Sequence, residues 1–323
     1  MKILAPVRDP EEVPWLCEAG ADEFYCGLTP AFWAERYGGD WVHRRDPRAA
    51  GLRDEAALAE VVRRAGDRPV FVTLNAPHYP EEAVAPLVGF GRHLLEHVGV
   101  AGLIVAEIEL LLALVEEGLG PRVHVSSLAT CTNPGAAAFY RDLGVARVVL
   151  PRHLTLDEIG EIAAAGVDLE VFVLNDGCVF EEGLCATTHR LGPFCLADGP
   201  GTEGVGPGAL EAYEFWKWTL NNCGCRTNRG YPLGPCGLCA LPRFRAIGIG
   251  SLKVVGREAS LPRKRASVEL AALAVRLADA GAGPTEIREA VVARRGGRSL
   301  CDGAHLCYYP QVWAPAGAEA AAC

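Results

Sequence analysis

The chain has 323 residues, half of them apolar, with 31 Lys and Arg against 40 Asp and Glu and a formal net charge of −9. This composition suits one large α/β domain or two smaller ones, and it argues against wholesale disorder and against a generally basic nucleic-acid surface. The first residues, MKILAPVRDPEEV, meet acidic side chains too soon for a secretion signal, and no stretch has the length of an apolar membrane span, so a cytoplasmic setting is expected.

Short β-rich segments recur along the chain: 2–7, 23–27, 70–75, 102–107, 123–127, 147–152, 169–175 and 251–256. Helix-like stretches separate most of them, the clearest at 10–20, 81–99, 107–118, 133–144 and 155–166. Several start near Asp, Asn or Thr and stop at Gly, the residues that cap helices. Strand followed by helix over short links demands a parallel sheet. The strands lack strict polar alternation, which fits burial on both faces. Eight such units predict a (β/α)8 TIM-like barrel over residues 1–258, with the functional loops at the strand C-terminal ends. A doubly wound open sheet is the competing arrangement.

The connection after the seventh strand, 176–240, is far longer than an ordinary βα link, and such loops usually carry function. Residues 206–222 suggest a helical turn inside it. Beyond 258, residues 265–281 and 284–296 read as helices that could close the barrel from outside. They belong to a C-terminal extension, 259–323, that carries Cys301 and Cys307 and ends in a segment with little to order it.

Seven of the 13 cysteines fall between Cys178 and Cys239. The total is odd, so complete internal disulfide pairing is impossible. In a reducing compartment, clustered thiols point to metal or redox chemistry. Two groupings compete. Cys178, Cys185, Cys195 and Cys236 could hold a [4Fe–4S] cluster. Cys223, Cys225, Cys236 and Cys239 form a C-x-C…C-x2-C set that suits tetrahedral zinc. The two share Cys236, so both cannot be complete. A mixed set, in which Cys223, Cys225 and Cys239 join Cys301 or Cys307, is a third arrangement. Cys17 and Cys26 fit buried packing positions, as does Cys131.

Residues 5–28 (APVRDPEEVPWLCEAGADEFYCGL), 126–159 and 236–257 (CGLCALPRFRAIGIGSLKVVGR) resemble the U32 family of collagenase-like peptidases. So does the set Glu170, Phe172, Gly177, Cys178 and Cys185. The family includes iron–sulfur proteins that take part in oxygen-independent hydroxylation of ubiquinone precursors or RNA bases, and others described as peptidases. The resemblance implies Cys178, Cys185, Cys195 and Cys236 as cluster ligands. Asp176 stands where the family carries His, and the Cys185–Cys195 spacing is shorter than the family's, so Cys223 or Cys225 could replace Cys195.

A cluster at the mouth would relay electrons to or from a substrate bound between the loop ends. Candidate polar residues there are Asn75, His78, Glu107, Ser126, Arg152, His153, Asn175 and Asp176. Glu107, His153 and Asp176 could move protons, and Arg152 could bind an anionic group. Lys253 sits inside the eighth strand and, if it points inward, needs a partner. The expected reading is an iron–sulfur redox protein, a hydroxylase or a component of one. It would act on a small aromatic molecule or RNA, with an electron donor protein or partner subunit. One alternative is a thiol peptidase, with Cys131 paired to His124 or His153, since neither HExxH nor G-x-S-x-G occurs. The other is a zinc-stabilised RNA-binding or interaction protein, to which the arginines of CRTNRGYP (225–232) would contribute.

Overall fold

The structure is a computed structural model that describes residues 1–37, 42–43, 45, 47–175, 235–296, 301 and 307–313. Eight parallel strands close into a barrel in chain order: β1 (Lys2–Pro6), β2 (Glu23–Gly27), β3 (Val70–Leu74), β4 (Gly102–Val105), β5 (Val123–Val125), β6 (Arg147–Val149), β7 (Leu169–Leu174) and β8 (Ser251–Val254). Each begins at the first residue of its predicted segment and ends at the same residue or up to three sooner. The five helix-like stretches hold helices Glu12–Ala19, Glu81–His93, Ile108–Glu116, Pro134–Asp142 and Leu156–Ala163. Helix Glu55–Ala65 is an addition to that set. Its Asp54 cap accepts from the Ala57 amide at 2.7 Å, and it buries Ala57, Leu58, Val61 and Ala65.

Helix Leu261–Asp279 packs on helix Glu12–Ala19 and on β1, completing the outer ring. A buried ion pair fastens it, Lys264 Nζ donating to both Glu12 oxygens at 2.8 and 2.9 Å. Helix Pro284–Arg295 lies against it in turn. Among the described residues no helix is long and apolar enough to cross a membrane.

Side chains alternate along each strand between the helix layer and the barrel interior. Inside, Leu4, Tyr25, Phe71 and Ile104 form one apolar plug. Val149, Phe172 and Val255, with Tyr308, form a second one nearer the mouth.

Charged residues fill the floor, at the N-terminal ends of the strands. Arg147 Nη1 donates to Glu23 Oε2 at 2.7 Å and to Glu170 Oε2 at 3.3 Å, and its Nε donates to Asp168 Oδ2 at 2.7 Å. Lys253 Nζ donates to Glu170 Oε1 at 2.7 Å, and Lys2 Nζ lies 3.1 Å from Glu23 Oε1. Three carboxylates thus meet three cations. Burial raises the Glu23 pKa, but the hydrogen bonds and charge of Arg147 outweigh it and hold the carboxyl below its ordinary value. His124 stacks on Phe71 with ring centroids 4.2 Å apart, and burial, reinforced by Arg147, lowers its pKa to about 3. The imidazole is therefore neutral.

Candidate active site at the barrel mouth

The residue that follows each strand sits on the mouth, but in a β/α chain with short links it is also where the next helix begins. Several predicted site residues are used for that second task. Glu107 caps helix Ile108–Glu116, its carboxylate accepting from the Glu109 amide at 3.0 Å and the Leu110 amide at 2.7 Å. Ser126 caps the turn Ser127–Ala129 and accepts from Asn75 Nδ2 at 3.3 Å. Asn175, at φ +77°, donates through Nδ2 to Ser267 Oγ at 2.7 Å and so ties β7 to the outer ring. His78 and His153 are exposed. Lys253 points inward, as its strand position predicts, but it belongs to the floor network and lies 4.2 Å from the Tyr25 ring centroid. Asp176 lies outside the described residues.

Arg152 is buried, its guanidinium 5.1 Å over the Phe172 ring, and so it faces the apolar layer just beneath the mouth. A second arginine, Arg257, holds a comparable place and is missing from the predicted set. It follows β8 and is 4 % exposed. Its Nη1 donates to Thr73 Oγ1 at 2.9 Å and its Nη2 to His43 Nδ1 at 3.3 Å. Burial depresses its pKa, and no carboxylate among the described residues hydrogen-bonds it. His43 is held neutral by burial and by Arg257, against a hydrogen bond of the ring to the Arg45 backbone; since a guanidinium can only donate, the Arg257 contact makes Nδ1 the acceptor and assigns the proton to Nε2. That Nε2–H is buried with no partner among the described residues. Gly27 makes room for this pair: a Cβ there would stand 2.1 Å from Arg257 Nη1 and 2.7 Å from His43 Nε2. A guanidinium and an imidazole N–H held this way form a donor set for an anionic or carbonyl oxygen. In the sequence Arg257 is marked only as the terminal Gly-Arg of the resemblance segment.

The peptidase alternative depends on an activated thiol. Cys131 is fully buried in the core, and burial pushes its pKa up to about 11. His124 faces the barrel floor and His153 faces solvent, so neither prepares Cys131 as a thiolate. Cys26 is likewise a core side chain, pushed up to about 12, with its Sγ 3.7 Å from the Phe71 carbonyl oxygen. Cys17 is half-buried.

Of the predicted cluster ligands, Cys178, Cys185 and Cys195 lie outside the described residues, as do the alternates Cys223 and Cys225 and the segments 206–222 and 225–232. Cys236 is described, and its position is informative. Leu174, the last residue of β7, forms an antiparallel bridge with it. The Asn175 amide donates to the Pro235 carbonyl at 3.1 Å, and the Gly237 amide donates to the Val173 carbonyl at 2.9 Å. The chain therefore returns from its long excursion alongside the strand from which it left. Cys178 is three residues past Asn175 in sequence, a tether of about 10 Å at full extension. Among the described residues no three His, Cys, Asp or Glu side chains are already arranged around a metal ion.

The sequence profile described as peptidase family U32 matches residues 8–198, more than half of the chain. The chain belongs to this family. A 23S rRNA 5-hydroxycytidine synthase of Escherichia coli is 30% identical to this U32 protein over 191 residues, 58% of this chain and 26% of that protein. The tRNA hydroxylation protein P1 of Bacillus subtilis is 23% identical over 275 residues, 80% of this chain and 59% of that protein. The chain thus spans between about a quarter and three fifths of these two curated relatives. Among solved structures, a U32 peptidase aligns over 64% of this chain and 84% of that one, at 18% identity and a TM-score of 0.43.

Proposed function

We propose that this U32 protein is an iron–sulfur redox protein that takes part in oxygen-independent hydroxylation of an RNA base at the barrel mouth. The two relatives named for rRNA and tRNA hydroxylation support the reaction and the substrate class. The observation that carries the siting is the mooring of Cys236 beside the exit of β7, which keeps one thiol at the rim and leaves Cys178 a short tether from it. Cys178, Cys185, Cys195 and Cys236 would hold the [4Fe–4S] cluster, an all-thiol donor set that suits soft iron. When bound, that cluster supplies one-electron transfer.

The chain's own residues bind and orient. Arg257 and the Nε2–H of His43 would take an oxygen of the substrate, such as a phosphate oxygen. Tyr308, half-buried against Phe172 in the upper apolar layer, offers a ring face on which an unstacked base can rest. Arg152 holds Phe172 from above. The His43 imidazole is uncharged, so the positive field of the mouth comes from the guanidiniums and does not fade across neutral pH. Replacing a base C–H by C–OH adds an oxygen atom and withdraws an electron pair, so without O2 either an oxygen-atom donor or water with an electron acceptor must complete the reaction; an electron donor protein or partner subunit would reset the cluster, and the RNA substrate sets the protein in the cytoplasm.

The test has two arms. Nucleosides from the rRNA and tRNA of cells lacking the chain are compared by mass spectrometry with those of complemented cells. A base one oxygen heavier should vanish and return. Anaerobically purified protein, analysed for iron and sulfide and by electron paramagnetic resonance after reduction, should carry about four irons, and Cys178→Ala should remove them. Unchanged RNA, or an iron-free protein that still complements, would refute the reading.

A further inference from the structure

Helix Pro284–Arg295 carries two cations to the place where Cys236 rejoins β7. It packs against the short turn Leu238–Ala240, which begins two residues beyond Cys236. Arg288 and Arg295 lie seven residues apart on this helix and so share one face. Three further thiols lie near Cys236. Cys307 faces it across a parallel β-bridge, Cys239 sits in the short turn, and the Cys301 carbonyl accepts from Arg288 Nη2 at 3.2 Å. Cys236 acts electrostatically on all three. So does Arg288, and Arg295 acts on Cys301. The two guanidiniums thus share the neighbourhood of Cys236.

Arg295 is the unusual member of the pair. It is 1 % exposed, and its Nε and Nη2 are buried without a hydrogen-bond partner among the described residues. A desolvated guanidinium is costly unless an anion sits close by. The thiols beside it are free, and a neutral thiol offsets none of that cost. Burial also closes Arg295 to RNA, because a side chain so enclosed does not reach a phosphate of a bound strand. The anion that suits it is internal. A [4Fe–4S] core carried by four thiolates, one of them Cys236, has net negative charge and belongs in this neighbourhood.

We infer that Arg288 and Arg295 form a cationic wall beside the cluster that Cys236 helps to hold, and that they raise its reduction potential. This rests on the cluster reading above and keeps Cys236 among the ligands. Reduction adds one electron, and so one negative charge, to the core. A buried cation nearby stabilises the reduced form more than the oxidised form, and the charge around a cluster is one of the quantities that set its potential. A unit charge within about 10 Å, at an effective dielectric constant of about 20, shifts a one-electron equilibrium roughly tenfold. Arg295 is enclosed and should contribute most. Arg288 is half-buried and screened by water, so it should contribute less. Both are positioning residues, acting through the core and not on the RNA.

Full-length protein, purified anaerobically, is analysed for iron and then titrated with sodium dithionite and mediators, the reduced core being followed by electron paramagnetic resonance. Arg295→Met keeps the bulk and removes the charge. It should retain the iron of the wild type and lower the midpoint potential by about 59 mV, the one-electron equivalent of a tenfold shift. Arg295→Lys, which keeps the charge, should restore most of the wild-type value. Arg288→Gln should lower the midpoint by less. A side chain needed only for packing would leave the potential in place. An iron-loaded Arg295→Met with an unmoved or raised midpoint therefore overturns the inference and spares the cluster reading, whereas wild-type protein without iron overturns both. If Arg295→Met fails to fold or to keep its iron, Arg288→Gln decides by the same titration, an unmoved midpoint again counting against the wall.

Discussion

The floor and the mouth of this barrel both bury arginine, yet they treat it in opposite ways. On the floor, Arg147 meets Glu23, Glu170 and Asp168, and Lys2 and Lys253 complete the match. At the mouth, Arg257 has a threonine hydroxyl and a neutral imidazole. A network whose carboxylates are all hydrogen-bonded to its cations serves the fold, whereas a buried guanidinium bonded only to neutral groups, with Glu258 acting on it through space alone, keeps hydrogen-bonding capacity for an anion. The contrast separates scaffold from site without reference to any relative.

Replacing the two arginines alike would break or sharpen this contrast most strongly. Arg147→Met removes one of three cations from the floor, leaving Glu23 to Lys2 and Ser251 and Glu170 to Lys253 alone, and should cost about 3–5 kcal/mol of stability, read from the denaturant midpoint. Arg257→Met removes a desolvated charge that no carboxylate among the described residues hydrogen-bonds and on which Glu258 acts only through space, so stability should fall by less than for Arg147→Met, by about 1–2 kcal/mol, while RNA hydroxylation collapses. If the two variants destabilise equally, the division between floor and mouth is wrong. Gly27→Ala should act between them. The added methyl must displace the guanidinium or the imidazole, at a cost of about 1–3 kcal/mol, and hydroxylation should drop together with stability.

The pH response isolates one floor residue. The His124 pKa in the fold is about 3, below its ordinary value, so the unfolded chain binds the extra proton. The stability this provides is complete above pH ~6.5 and should be lost at about 1.4 kcal/mol per pH unit as pH falls toward 3. Glu23, also depressed, adds a loss that begins only below its ordinary carboxyl value. His124→Phe should flatten the slope between pH ~6 and ~5 by one proton, as followed by denaturation at a series of pH values. An unchanged slope would mean that the imidazole is solvated in the fold. The smallest effect is expected at Glu107, the capping residue. Glu107→Gln keeps an acceptor oxygen, should cost under about 1 kcal/mol, and should leave hydroxylation intact. Lost activity with an intact fold would instead make Glu107 a proton carrier.

The barrel is legible because local chemistry repeats eight times. Each short apolar run is followed by a turn and a cap, and the start of every strand can be read from that change. The site is less legible because one position serves two purposes. The polar residue after a strand is both a mouth residue and the place where the next helix needs a cap, and Glu107 and Ser126 are used as caps. Arg257 was hidden for the converse reason. It follows Val254 by three residues and contributes no cap, and only the folded contact with His43 and Thr73 gives it meaning. Cys236 could be picked out by its spacing and by the resemblance. Its neighbours Cys301 and Cys307 are 65 and 71 residues away in sequence, and no local pattern links thiols so far apart.

The most direct test is the RNA made by cells whose only copy of the chain carries Arg257→Met. The account predicts normal protein abundance and iron content, together with disappearance of the nucleoside one oxygen heavier. A full complement of that nucleoside would contradict the assignment of this mouth as the place where the substrate binds.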